Sequence, residues 1–370
     1  MLLRLRDGSE AAPRREASAI PLAAALQARM SFEVFATMDQ RLPLSRVEAH
    51  ARRAEALGFD GLSVPEAVHD GLLAAAAALR ATTHLRVATG VLVAFPRSPM
   101  AVAIAAWDLA EASGGRFELG LGSQVRGNVE GRYGTPWTAP VPRMREYVGA
   151  LRAIFDAFQN GTPLRFEGTH HRFARLQPFF RPEPLPHAGI PIALGAIGPA
   201  MTALAGEIAD VLVTHPTSAA PRHLREVVVP RVARGAARAS RDASAVRLVA
   251  TPLVATGRDA AAVAQAREGV RQLLGFLYST PAYWPSLALF GWQERGEALH
   301  RASREGRWDT LAAYVDDAML DAFAPSAPYG ALAAVLRSGY AGLAQRLCLP
   351  VPEDPADDAA VSALVAELRR

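Results

Sequence analysis

Met38-Asp39-Gln40-Arg41-Leu42-Pro43 is the first strand-to-helix turn of the chain, and it contains no glycine. An open dinucleotide-binding sheet carries G-x-G-x-x-G at this place, so that the backbone can approach a pyrophosphate. Here Gly120-Leu121-Gly122 arrives only at the fourth strand, and Val125 stands where the third glycine would be. The missing fingerprint turns the reading away from a doubly wound sheet.

Outward from that turn, short β-branched runs alternate with Ala-rich amphipathic segments. Residues 31–37 read as a strand and 44–57 as a helix closed by Gly58. Strands follow at 61–64, 85–89, 116–121, 192–194, 211–214, 246–251 and 342–349. The helices between and after them are expected at 72–80, 100–112, 143–158, 199–208, 222–239, 260–274 and 359–368, with Asp259 a natural N-cap for the helix at 260. Eight strand–helix units imply a parallel sheet. The count of eight favours an α/β fold of the closed kind, a (β/α)8 TIM barrel with insertions. One insertion spans about 160–190, where 164–166 and 171–173 form a hairpin before a proline-dense stretch from Pro178 to Pro191. The other spans about 276–330 and is rich in aromatics, among them Tyr278, Tyr283, Trp284, Phe290 and Trp292.

The chain has 370 residues, half of them hydrophobic, and a formal net charge of +4. Its basic groups are mostly Arg and lie scattered among acids, which argues against a nucleic-acid partner. No apolar run is long enough to span a bilayer. Arg14-Arg15 before a short apolar run faintly resembles an export signal, but Glu10, Glu16 and Pro21 interrupt it. A cytoplasmic location is expected, with residues 1–29 a disordered extension and 30–370 one barrel domain. The lone Cys348 sits in an apolar run and reads as a small core residue. No metal cluster is visible, since Glu66 and His69 offer only two ligands.

In a barrel, function collects at the carboxyl ends of the strands. The strongest signal there is Leu194-Gly195-Ala196-Ile197-Gly198-Pro199, a strand running through small residues into a helix start with proline in its first turn. Such a start favours a phosphate, although an ordinary tight turn has the same composition. Gly120-Leu121-Gly122-Ser123-Gln124-Val125-Arg126 concentrates hydrogen-bonding groups, with Arg126 available to a phosphate or carboxylate. Gly90-Val91 reads by itself as a simple turn, and its glycine also permits close packing against a planar ring. Glu66, His69 and Asp70, after the second strand, can do acid–base work, and His69 reads equally as a structural hydrogen-bonder. His215 is either a site residue or structural, and His170-His171 lies in the hairpin turn.

These turns, in this order, resemble the luciferase-like superfamily of (β/α)8 flavin and deazaflavin enzymes. The similarity rests on Gly58-Phe59-Asp60-Gly61, Ala94-Phe95-Pro96-Arg97-Ser98-Pro99, Ser113-Gly114-Gly115-Arg116-Phe117 and Leu204-Ala205-Gly206-Glu207-Ile208-Ala209-Asp210. Ala106-Trp107-Asp108-Leu109 and Pro178-Phe179-Phe180 narrow it to the branch using coenzyme F420, an 8-hydroxy-5-deazaflavin. The resemblance implies cofactor contacts at Gly90, Val91, Gly122, Ser123, Gln124, Arg126, Gly195, Ala196, Ile197 and Gly198. It further implies a non-prolyl cis bond at Gly90-Val91, hydride transfer at C5 of the deazaflavin, and a homodimer formed through barrel helices. Related sugar-phosphate and alcohol dehydrogenases carry a histidine and a glutamate where this chain has Ala67 and Gln124, so neither activity carries over. Glu66, His69 and Gln124 stay as the catalytic candidates. The expectation is an F420-dependent oxidoreductase on an organic substrate; the alternatives are an FMN-dependent monooxygenase and a non-catalytic cofactor-binding protein.

Overall fold

Strands buried on both faces are near-continuous apolar runs, and eight of that kind order the chain. In the computed structural model, which describes residues 31–187 and 189–370, they are β1 (Glu33–Thr37), β2 (Gly61–Val64), β3 (Arg86–Thr89), β4 (Phe117–Gly122), β5 (Ile192–Ala196), β6 (Val211–Thr214), β7 (Arg247–Ala250) and β8 (Arg346–Pro350). Each pairs in parallel with its sequence neighbours, and β1 pairs with β8 from Glu33 opposite Arg346 to Thr37 opposite Pro350, which closes the barrel. The proposed extension at residues 1–29 lies outside the described residues.

The helices that cover the barrel are α1 (Leu44–Ala56), α2 (Gly71–Ala81), α3 (Pro99–Ala112), α4 (Pro140–Asn160), α5 (Pro199–Ile208), α6 (Val229–Arg238), α7 (Tyr329–Tyr340) and α8 (Asp358–Leu368). Local chemistry sets several of their starts. Asp70 caps α2 by accepting from the amides of Leu72 and Leu73, and Ser98 caps α3 ahead of Pro99. Expected helix 222–239 is interrupted by a π turn over Leu224–Val228, just before Pro230, whose missing N–H cannot continue the ladder.

The barrel interior has two storeys. At the amino ends of the strands, Arg346 donates to Glu118 at 2.8 and 3.0 Å and to Glu33 at 2.9 Å. The guanidinium of Arg346 also lies 3.8 Å from the centre of the Phe35 ring. Burial raises the Glu33 carboxyl, but Arg346 and Arg86 outweigh it and hold the group below its ordinary value. Above this charged plug, Phe35, Ala88, Ala193, Val211, Val249 and Cys348 fill the barrel. Burial pushes the Cys348 thiol up to about 12, so it serves as the core residue the sequence suggested.

One assignment changes. The helix at 260 extends to Tyr278, and it does not cover the barrel. Its Val270, Leu274 and Tyr278 belong to a second core with Leu287, Leu299, Met319 and Phe323. The helix over β7 and β8 is α7, whose Leu332, Ala333 and Leu336 join the main core. The aromatic insertion therefore begins earlier than residue 276. Ala255–Gly257 and Ser326–Pro328 pair in parallel at its base. The smaller insertion forms its expected hairpin, Phe166–Glu167 against Arg172–Phe173. Glu146 of α4 ties down the turn by accepting from the amides of Thr169, His170 and His171, which makes those histidines structural. Among the described residues, no helix is long and apolar enough to cross a membrane.

Candidate functional site

A cleft of about 1400 Å³ opens where the strands end. All eight strand ends or their following turns contribute, from Thr37 at the end of β1 to Pro350 at the end of β8. Pockets for small molecules commonly hold ~300–1,000 Å³, so this one has room for a cofactor and a second molecule.

Two parts of its wall are built from small residues. The Gly90–Val91 bond is cis, as the family resemblance implied. The Val91 side chain nests in space left by two other glycines: a Cβ at Gly122 would stand 2.5 Å from Val91 Cγ2, and one at Gly195 would stand 3.1 Å from Val91 Cγ1. Gly90 in turn backs onto Ser63. The ends of β3, β4 and β5 thus interlock into one smooth surface. The second part is the start of α5. Gly198 is its N-cap, with no side-chain cap, and Pro199 follows. The Thr202 amide donates to Gly198 at 3.0 Å, which leaves the first-turn amides of Ala200 and Met201 for a ligand in the cleft. A Cβ built on Gly198 meets nothing within 4 Å, so that edge of the cleft is open. Free amides, the positive end of a helix and an open approach fit a phosphate group.

The proposed catalytic residues fare differently. Glu66 lines the cleft, but both its oxygens are committed. Oε1 accepts from Arg97 at 2.5 Å, while Oε2 accepts from the Val93 amide at 2.6 Å and from Arg97 at 3.1 Å. Asp70 accepts from the same guanidinium at 2.8 Å. Glu66 is therefore a buried anchor for the turn after β3 rather than an acid–base group. His69 does not line the cleft. It immediately precedes the α2 cap Asp70, which bonds to the helix start and to Arg97. Gln124 is in the cleft with φ +57°, a left-handed conformation uncommon for a side-chain-bearing residue. Its carboxamide oxygen accepts from the Val125 amide at 2.9 Å, which spends it on the turn. Ser123 lines the cleft, and Arg126 lies at its rim, mostly exposed and paired with Glu130 at 3.0 Å.

The sequence reading left His215 open and passed over its neighbour Tyr283 as a site residue. Both line the cleft, and their rings stack with centroids 4.6 Å apart and planes 10° from parallel. Burial pushes the His215 imidazole down to about 4, so it is neutral. Arg97 was also missed as a partner of Glu66. The signal was present in Ala94-Phe95-Pro96-Arg97, a run whose arginine has no obvious task on a helix start.

A closed parallel barrel with its cleft at the strand carboxyl ends defines a protein of the TIM-barrel, luciferase-like fold. Residues 30–345 match the luciferase-like monooxygenase family, and the chain belongs to that family, as a luciferase-like oxidoreductase. It is 42% identical over 316 residues to an uncharacterized protein of Mycobacterium tuberculosis, covering 85% of this chain and 92% of that one. Over 289 residues it is 28% identical to the 5,10-methylenetetrahydromethanopterin reductase of Archaeoglobus fulgidus, covering 76% and 81%. Its fold is that of the coenzyme F420-dependent tetrahydromethanopterin reductase of Methanopyrus kandleri, with a TM-score of 0.75 at 20% identity over 91% of this chain and 98% of that one.

Proposed function

We propose that the protein is an F420-dependent oxidoreductase that moves a hydride between the deazaflavin and an organic substrate. The observation that carries this reading is the joining of two surfaces in one cleft: the Val91 bulge seated on Gly122 and Gly195, and the uncapped start of α5 at Gly198. The first suits the face of a planar tricycle, and the second suits a phosphate on its side chain. When bound, F420 supplies a two-electron carrier that gives or takes a hydride at C5.

The chain's own residues orient and shield. Gly195, Ala196, Ile197 and Gly198 form the turn into α5, whose free Ala200 and Met201 amides would hold the phosphate end. Val91 would face the ring, and Glu66 and Arg97 fix the turn that carries Val91. The insertion helix Ala260–Tyr278 covers the opposite side and keeps water from the transfer. The A. fulgidus and M. kandleri relatives, whose names specify reduction of a methanopterin, support a hydride-transfer reading over an oxygenating one.

Titration of the purified protein with F420 and with FMN tests this, together with oxygen consumption during turnover. Tight F420 binding without oxygen uptake is the expected result. Preference for FMN with oxygen consumed would replace it by a flavin monooxygenase. Tight F420 binding with no hydride exchange on any substrate would leave a cofactor-binding protein.

A further inference from the structure

The cleft has two unlike walls. Its charged lining residues, Glu66, Arg126 and Arg132, all come from the turns after β2 and β4. The facing wall is one stripe of the Ala260–Tyr278 helix: Val270, Leu273, Phe276 and Leu277. Leu273 is 41% exposed and Phe276 is 56% exposed. Large apolar side chains left open along one helix face mark a surface that receives an apolar partner, and here that surface faces the cleft.

Polar groups on the His215 side are few, and most are spent. The Thr214 hydroxyl donates to the Val249 carbonyl at 3.1 Å, and that of Thr251 donates to the Thr214 carbonyl. His215 differs. Its Nδ1 accepts from the Thr217 amide at 3.3 Å and pairs with the Thr217 hydroxyl at 2.8 Å. An Nδ1 that accepts from a backbone amide puts the ring proton of a neutral imidazole on Nε2. Nε2 makes no hydrogen bond among the described residues, and His215 lines the cleft. Tyr283, stacked on the ring, keeps its plane fixed.

Resting on the hydride-transfer reading above, we infer that the substrate is a neutral, mainly apolar conjugated carbonyl compound lying against the Ala260–Tyr278 helix, with His215 Nε2–H donating a hydrogen bond to its oxygen. The conjugated class follows from the acids available. Glu66 is tied to Arg97, burial holds the Tyr283 phenol above its ordinary value, and a neutral imidazole does not release a proton readily, so the cleft favours an acceptor whose new charge spreads onto oxygen. In the reducing direction, the electron pair of the C5–H bond of reduced F420 forms a C–H bond at the β-carbon. The C=C pair becomes the new enolate π bond as the carbonyl pair moves to oxygen, where His215 stabilises it. Solvent then protonates the product. The two electrons lost by the deazaflavin are those the substrate gains.

The test uses the full chain labelled with ¹⁵N-histidine, without cofactor, and two probes of similar size: neutral 4-phenyl-3-buten-2-one and anionic trans-cinnamate. The ketone is expected to move the His215 Nε2 resonance saturably, and cinnamate is not. With F420 bound and reduced, in the absence of oxygen, His215→Phe should lower kcat/KM for the ketone about tenfold or more. His215→Gln, which keeps an N–H donor, should recover most of it. In both variants the Kd for F420 should hold. Ketone binding that leaves His215 unmoved, or equal binding of cinnamate, overturns the inference while F420 binding stands. Failure of F420 itself to bind overturns the reading under Proposed function instead, because the histidine titration is read on the protein without cofactor.

Discussion

Arg97 grips Glu66 with both terminal nitrogens, Nη2 to Oε1 at 2.5 Å and Nη1 to Oε2 at 3.1 Å, and the carboxylate is only 5% exposed. The pair joins the turn after β2 to the turn after β3, and through the Val93 amide it holds the short Leu92–Val93 segment against β4. A carboxylate at the mouth of a barrel invites an acid–base role. Its partners give it a mechanical one, in which the ion pair sets the position of Val91 two residues before Val93.

Glu66→Ala should therefore act first on stability. It leaves a half-buried guanidinium with Asp70 and the Val93 carbonyl and frees the Val93 amide, for a loss of ~3 kcal/mol. Glu66→Gln still offers Val93 an acceptor and should lose roughly half of that. Urea unfolding at pH 7 reads both. The pH–rate profile of Glu66→Gln should keep the wild-type shape, and a missing limb would restore Glu66 as a proton donor.

Gly122→Ala and Gly195→Ala should be ranked by the room each leaves. The new methyl at 122 stands 2.5 Å from Val91 Cγ2, whereas that at 195 stands 3.1 Å from Cγ1. A β-branched side chain has little freedom to turn away, so Val91 must shift as a whole in the first case. Overpacking of this kind costs ~1–3 kcal/mol, and F420 affinity should fall about tenfold for Gly122→Ala and less for Gly195→Ala. Adding Val91→Ala to Gly122→Ala should recover binding. Equal affinity in both single variants would mean that the ring does not rest on Val91.

Alternation of eight short apolar runs with amphipathic segments made the barrel legible, because strand and helix periods differ and both recur in this chain. The turns at Gly122 and Gly195 were legible as close approaches, since only glycine permits them. What stayed hidden was set by distant partners. Nothing local in Glu66 announces Arg97, 31 residues away. The Ala260–Tyr278 helix has the same amphipathic spacing as a barrel helix, and only the apolar insertion that follows gives its buried face another place to pack. His69 and His215 look alike in sequence, each near a strand end. His69 stands beside the α2 cap and does not line the cleft, while Tyr283 from the insertion stacks on His215 within it.

Gly198→Asp separates the anion site from the fold. Gly198 has φ −74° and ψ 157°, which any residue adopts, and open space beyond its Cβ position. Aspartate is among the best N-caps and glycine only slightly worse, so thermal stability should hold or rise by about 0.3 kcal/mol. The same carboxylate would occupy the amides offered to a phosphate and repel it, lowering F420 affinity by roughly 100-fold or more. Unchanged titration by F420 in this variant would place the phosphate elsewhere.

Acid should destabilise the protein well above the carboxylate range, and two histidines say where. Burial holds both His215 and His223 down to about 4, against ~6.5 in an unfolded chain. Between those values the unfolded chain takes up protons that the folded one refuses, so stability falls as pH drops from 6.5 towards 4. From pH 7 to pH 5 the loss is about 2 kcal/mol for His223 and somewhat less for His215, whose Nε2 edge meets the cleft. Glu33, held below its ordinary value by Arg346 and Arg86, adds its own loss only below ~4.3, which keeps the two windows apart. His223 is 2% exposed and its Nδ1 has no hydrogen-bond partner among the described residues. His223→Leu should thus stay within ~1 kcal/mol of wild type at pH 7 and remove about 2 kcal/mol of the difference between pH 7 and pH 5, to which His50 and His171, also held down by burial, add their own part. Urea midpoints at the two pH values measure it, and a difference as large as that of wild type would show that His223 accepts its proton without leaving the fold.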